Sequence, residues 1–132
     1  MNIQCGKYIY SAILLALPRG GSVYPVIADF NDAVPPTPFA VYQRVSAEPN
    51  YTKSMFTGEM THNYSVTVVD NQYTSTLEHA QAVVNNMLAL SYTVKTDMRF
   101  GQVLLTDISE DYVDGLFLQT LNFEINTIEI LQ

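Results

Sequence analysis

From Met60 to Val68 the chain alternates without a break. Met60, His62, Tyr64, Val66 and Val68 fall on one side, and Thr61, Asn63, Ser65 and Thr67 on the other. A period of two sustained over nine residues is the signature of a half-buried β-strand, because successive side chains point to opposite faces of a sheet. Such a strand needs partners. Phe39 to Ser46 offers one, with Phe39, Val41 and Val45 on one side and Ala40 and Tyr42 on the other. The two strands and the polar stretch between them, Glu48 to Glu59, read as a long antiparallel hairpin. Twelve residues is long for its connection, where about two to five is usual. The stretch also carries Tyr51, Met55 and Phe56, apolar groups that a solvated loop has no reason to hold. These three are a candidate protein-contact loop, since aromatic and Met side chains are enriched in interface cores. The plainer alternative is that they pack back on their own sheet.

Two helices flank this hairpin in sequence. The first is expected from about Ile3 to Leu17, where Ile9, Ile13 and Leu17 recur at four-residue steps and Tyr10 and Leu14 widen the stripe. Pro18 and Gly20-Gly21 end it. Its second half is apolar nearly all round, which predicts burial on more than one side, partly against another copy of the chain. The second helix follows Ser75, whose spacing to Glu78 has the form of a capping box. Leu77, Ala80, Val84, Met87 and Leu88 form its expected apolar face. Between the first helix and the hairpin, Val23 to Ile27 fits a short edge strand. Pro35-Pro36-Thr37-Pro38 fits a stiff loop leading into the next strand better than a ligand for a proline-recognition domain.

After a less regular link from Ser91 to Gly101, a strand is expected over Val103–Ile108. Asp114-Gly115 is a strong two-residue hairpin turn. The closing strand then shows Phe117, Leu121, Phe123 and Ile125 on one face. Ile128 and Ile130 fall out of that phase, which predicts a bulge near Asn126-Thr127 or a tail packed elsewhere. The order is α-β-β-β-α-β-β. It implies one α+β domain over 1–132, with an antiparallel sheet of about four to five strands flanked by two helices.

Composition narrows the function classes. Only 14% of the residues are charged, and Asn, Gln, Ser and Thr supply 36 of the 132. Six basic residues against 13 acidic ones leave a net charge of −7. A protein that grips nucleic acid by its phosphates needs a basic footprint, and this chain has none. A surface short of charge and rich in uncharged polar and aromatic groups suits protein contacts. Cys5 is the only cysteine, so no intrachain disulfide or cysteine-based zinc site can form. Lys7 and the apolar run Tyr8–Leu17 outline a short signal peptide. Ten residues are too few to span a bilayer, and the segment reads as a structural helix of a protein made in the cytoplasm.

Chemistry is sparse. His62 and His79 are the only histidines, one inside a strand and one beside Glu78 on the polar face of a helix. Their spacing suggests no metal pair. No Gly-rich phosphate loop follows a strand, and no Ser or Cys stands in a nucleophile motif. The one dense cluster is Asp107, Glu110, Asp111 and Asp114. Its spacing does not match an EF-hand loop, so solvated carboxylates around a hairpin tip are the better reading than a calcium site. Neither an enzyme nor a cofactor is indicated.

Taken in order, the chain offers an N-terminal helix, Val23-Tyr24-Pro25, then Thr37-Pro38-Phe39-Ala40-Val41-Tyr42-Gln43-Arg44 and Tyr51-Thr52. A strand ending at Val69-Asp70 leads into the helix with Leu77, Ala80, Val84 and Leu88. The finish is Tyr112-Val113-Asp114-Gly115-Leu116-Phe117-Leu118-Gln119-Thr120-Leu121-Asn122-Phe123-Glu124-Ile125. This succession, from about residue 8 to 127, resembles the tail-completion (tail-terminator, head-to-tail joining) proteins of long-tailed bacteriophages and prophages. It departs from them in its low charge, with Leu116, Phe117 and Leu118 after the hairpin glycine where basic residues are common.

The resemblance implies a non-enzymatic virion structural protein at the neck, the head-proximal end of the tail. Its subunits would form a homohexameric ring that caps the tail tube protein and joins it to the head-side connector or stopper, leaving a channel for DNA. The genome would pass without specific binding, and a net −7 per copy, about −42 for six, would repel its phosphates. In that frame Asp107, Glu110, Asp111 and Asp114 are candidate channel-facing acids, and Tyr10, Ile13, Leu14 and Leu17 a candidate subunit-contact helix. The alternative from a different class is a stand-alone α+β module that binds a ligand or regulates a partner.

Overall fold

The computed structural model describes residues 2–18, 21–26, 36–51 and 56–130, and of residues 56 and 57 only the backbone. The elements are α1 (Gly6–Ala16), β1 (Ser22–Pro25), β2 (Phe39–Tyr51), β3 (Phe56–Asp70), α2 (Tyr73–Leu88), β4 (Met98–Val113) and β5 (Leu116–Glu129). This is the predicted order. The strands make one sheet in the order β1-β2-β3-β5-β4. β2, β3, β5 and β4 pair antiparallel, whereas β1 runs parallel to β2, so the antiparallel expectation holds for four of the five strands.

The alternation on β3 organises the core. Met60, His62, Tyr64, Val66 and Val68 are each at most 4% exposed. On β5 their neighbours Gln119, Leu121, Phe123, Ile125 and Thr127 are as deeply buried on the same face. Burying a Leu, Ile or Phe side chain in this way contributes about 1.5–3 kcal/mol, so the row Leu121–Phe123–Ile125 is a main source of cohesion. The bulge expected near Asn126-Thr127 is not on β5. That strand keeps its alternation to Glu129, Thr127 takes the core position, and Ile128 lies on the other face. The irregularities fall on its partner β4, between Phe100 and Val103 and between Leu105 and Asp107.

Both helices lie on the core side of the sheet. α2 crosses β3, β5 and β4, while α1 packs on α2, β1 and β2. α2 starts at Tyr73 with Gln72 as its N-cap, so Ser75 lies inside the helix and forms no capping box. Instead, Thr76 Oγ1 donates to the Gln72 carbonyl at 2.7 Å. The buried stripe is Thr76, Ala80, Val83, Val84 and Met87, rotated from the expected one so that Leu77 and Leu88 are exposed. α1 is also shorter than expected, because Cys5 precedes its first turn. Ile9, Ala12 and Ile13 are buried, but Leu14 and Leu15 are exposed, so the helix is not covered all round within one chain.

Candidate functional site

With both helices on one side, the other face of the sheet carries no helix among the described residues. Cross-strand partners share a face, so its composition follows from the pairing. β2 contributes Val41 and Gln43, β3 contributes Asn63, Ser65 and Thr67, and β5 contributes Thr120, Asn122, Glu124 and Asn126. β4 adds Leu104, Asp107, Ser109 and Asp111. Phe39 and Val69 are the buried exceptions, at the end where Phe39 meets the Tyr24 ring edge-on. Hydroxyls and amides dominate this wall. The Thr67 and Thr120 hydroxyls bond one another at 3.1 Å across it.

The four clustered acids do not act as one patch. Asp107 and Asp111 pair with Asn122 and Leu118 and stand on the open wall. Glu110 pairs with Gln119 and stands on the helix side. There it accepts from the Tyr73 hydroxyl at 2.7 Å and from Gln119 Nε2 at 3.1 Å, two bonds that hold its carboxyl below the usual range. Asp114 sits in the turn, where it and Gly115 have φ values of 50° and 82°. Two successive left-handed residues are what a tight two-residue hairpin turn requires, and Val113 pairs directly with Leu116 across it. The sequence cluster is therefore split by strand alternation.

The twelve-residue loop is largely strand. β2 continues to Tyr51 and β3 starts at Phe56, with Glu48 opposite Thr61, Pro49 opposite Met60 and Tyr51 opposite Phe56. A bulge beyond Arg44 and a second shift beyond Pro49 absorb the residues that break the alternation. The Tyr51 side chain is exposed, Met55 lies outside the described residues, and of Phe56 the backbone alone is described. This tip and the Asp114-Gly115 turn lie at opposite ends of the sheet. Of the α1 residues singled out from the sequence, Ile13 and Leu17 are buried in their own core, because α1 turns them toward the sheet. Tyr10 and Leu14 remain at the surface.

Polar groups inside the core form a chain near the N-terminus. His62 is buried, and its Nε2 lies 3.1 Å from Thr127 Oγ1, while no described residue bonds Nδ1. Burial, with the Arg44 charge beside it, pulls its pKa down to about 4. Cys5 Sγ donates to Tyr64 Oη at 3.8 Å, the Arg44 guanidinium lies over the Tyr64 ring, and burial pushes the Cys5 thiol up. Arg44 also donates to the Ile3 carbonyl, pinning the N-terminal segment. His79 lies 3.5 Å from the buried Asp70. The two imidazoles stand on different elements, β3 and α2, and among the described residues no three His, Cys, Asp or Glu side chains gather as a metal would require. No described helix is long and apolar enough to cross a membrane. A groove of about 520 Å³ lies between α1 and the C-terminal end of α2 with the segment that follows it, lined by Tyr8, Ala12, Leu15, Asn86, Leu90 and Lys95 among others.

No protein-family model matches this chain, and no curated protein does. Among solved structures the chain is similar to a chain of the virion of a native gene transfer agent (GTA) particle. The TM-score is 0.66, over 98% of this chain and 100% of that one, at 12% identity. The likeness is one of fold, and it extends over both chains end to end.

Proposed function

We propose that this protein is a tail-completion subunit: a non-enzymatic virion structural protein that forms a ring, of six copies, at the head-proximal end of a phage-like tail. The ring caps the tail tube and joins it to the head-side connector. The observation that carries this reading is the two-sided sheet, one face closed by helices and the other a wall of hydroxyls and amides. Its charges on β4 and β5 are Asp107, Asp111 and Glu124, with Arg99 near one end. Such a wall suits the passage of a polyanion that must not stick. In this reading Asp107 and Asp111 face the channel, whereas Glu110 does not. The full-length likeness in fold to a chain of a gene transfer agent virion supports the same class of assembly.

The two hairpin tips, at opposite ends of the sheet, serve as the axial contacts in this reading, with Tyr51, Met55 and Phe56 in one of them. Negative-stain microscopy and native mass measurement of the protein mixed with its tail tubes test the proposal. Rings seated at tube ends are expected. A chain that stays monomeric with tubes and never appears at their ends overturns it. Replacing Tyr51, Met55 and Phe56 by Ser together is expected to abolish capping with the fold intact; normal capping would remove this tip from the docking surface.

A further inference from the structure

We propose that neighbouring copies join edge to edge, β4 of one against β1 of the next, so that the sheet continues antiparallel from subunit to subunit. This rests on the ring reading and says how the ring closes. The first support is direction. β1 runs with β2, and three antiparallel steps separate β2 from β4, so the two edge strands point in opposite directions. A second copy placed alongside by a simple rotation therefore presents its β4 antiparallel to β1. Such a contact is heterologous and repeats around a ring.

The second support is level. Ser22, Val23, Tyr24 and Pro25 each begin a row of paired residues that crosses all five strands. The rows end at Asp111, Glu110, Ser109 and Ile108. The free edge of β4 at these residues thus stands at the height of β1.

The third is the character of the β4 edge. Natural edges are blunted by charged side chains, above all Lys, and by Pro or bulges. From Asp107 to Val113 the strand has no Pro or Lys and pairs with β5 in unbroken register. The acids Asp107, Glu110 and Asp111 are its one blunting device, while β1 ends in Pro25, which offers no N–H to a neighbour. Ile108, Tyr112 and Val113 are 53, 59 and 47% exposed, and Val26 beside β1 is 62% exposed. Charge selects the occupant. A two-fold β4–β4 contact would set Asp107, Glu110 and Asp111 against their own copies, whereas β1 carries no charged side chain. Four residues of edge supply few hydrogen bonds, so free subunits are expected to associate weakly and to close into rings where a tube end gathers them.

Cysteine pairs test the contact. Side chains on one face alternate, so Tyr24→Cys is combined in turn with Asp107→Cys, Ser109→Cys or Asp111→Cys, the three that share its face. Native Cys5 is buried. With tubes present and a mild oxidant, at least one pair is expected to give a ladder of covalent oligomers up to the ring's copy number. Each single variant should give no covalent oligomer. A second variant, Ile108→Lys with Tyr112→Lys, is expected to prevent rings while the monomer's thermal melt stays within a few degrees. If wild-type protein forms no ring on tubes, both this inference and the ring reading fall. If rings form but no pair yields a ladder and the Lys variant still assembles, edge pairing falls and the ring reading stands. Dimers from Ser109→Cys alone would point to the two-fold contact and overturn the proposal.

Discussion

The Tyr73 hydroxyl donates to Glu110 Oε1 at 2.7 Å, tying the first residue of α2 to the outer half of β4. The Tyr73 ring also meets Phe117 edge-on, with centroids 5.6 Å apart, and Phe117 in turn meets the Tyr112 ring at a tilt, with centroids 4.8 Å apart. Beyond this cluster the end of the β4–β5 hairpin has no helix beneath it among the described residues. Tyr73→Phe is expected to raise the Glu110 carboxyl pKa toward its ordinary value, read by carboxyl NMR titration. Tyr73→Ala is expected in addition to speed amide exchange at residues 108–113.

α1 divides sharply into covered and uncovered positions. Ile13→Ala is expected to cost about 2–5 kcal/mol, because it opens a cavity at a fully buried site. Leu15→Ala, at 80% exposure, should stay within about 0.5 kcal/mol in the isolated subunit. Urea denaturation of both variants checks the pair.

His62 gives the fold an acid sensitivity. Its imidazole is held neutral, with a pKa near 4 against 6.5 for an unhindered histidine. Below pH 6.5 the unfolded chain takes up a proton that the folded chain refuses, so stability falls as the pH drops from 6.5 toward 4. The full effect is roughly 3 kcal/mol at the conversion of 1.36 kcal/mol per unit. His62→Gln, which retains a donor toward Thr127, should lose most of this dependence. Denaturant midpoints at pH 7, 5.5 and 4 measure it.

Asp97 acts lower on the scale. Lys7 Nζ, 2.8 Å away, the Tyr8 hydroxyl and Asn2 together hold its carboxyl down to about 2. Because the folded-state pKa is depressed, the stability from this contact is present above about pH 4 and is lost as the pH falls toward 2. Lys7→Met is expected to raise the Asp97 pKa, and Asp97→Asn to remove this part of the acid transition.

Where one physical rule governed, the sequence was enough. Strict alternation placed β3 and its inward set, and Asp114-Gly115 located the last turn, since few residue pairs accept two positive φ values. Where two rules competed, local reading failed. Ser75 and Glu78 carry a capping signature, yet α2 begins at Tyr73, where the Thr76 N–H and hydroxyl both bond the Gln72 carbonyl and draw the first turn back ahead of Ser75. The polar run after Ser46 looked like a loop, since bulges hide the alternation that the pairing with β3 restores. The open wall was half visible: Asn63, Ser65 and Thr67 were legible as an outward set, but that both helices choose the opposite side is a tertiary outcome. The split of Asp107 and Asp111 from Glu110 needed the β4 register, which the shift after Leu105 sets.

The strand lengths carry a mechanical consequence. β3 spans 15 residues, and at ~3.3 Å per residue that is a strut of roughly 45–50 Å. The Tyr51–Phe56 pair closes one end of it and the Asp70–Phe117 pair the other, and the ladder between them is paired on both sides along most of its length. Paired on both sides from Met60 to Val69, such a strut would hold whatever docks at one tip at a set separation from whatever docks at the other. That separation changes only in whole residues, about 6.6 Å for each same-face pair inserted. A layer made of these subunits would have a thickness fixed by counting residues, and its two rims could not drift together or apart under load.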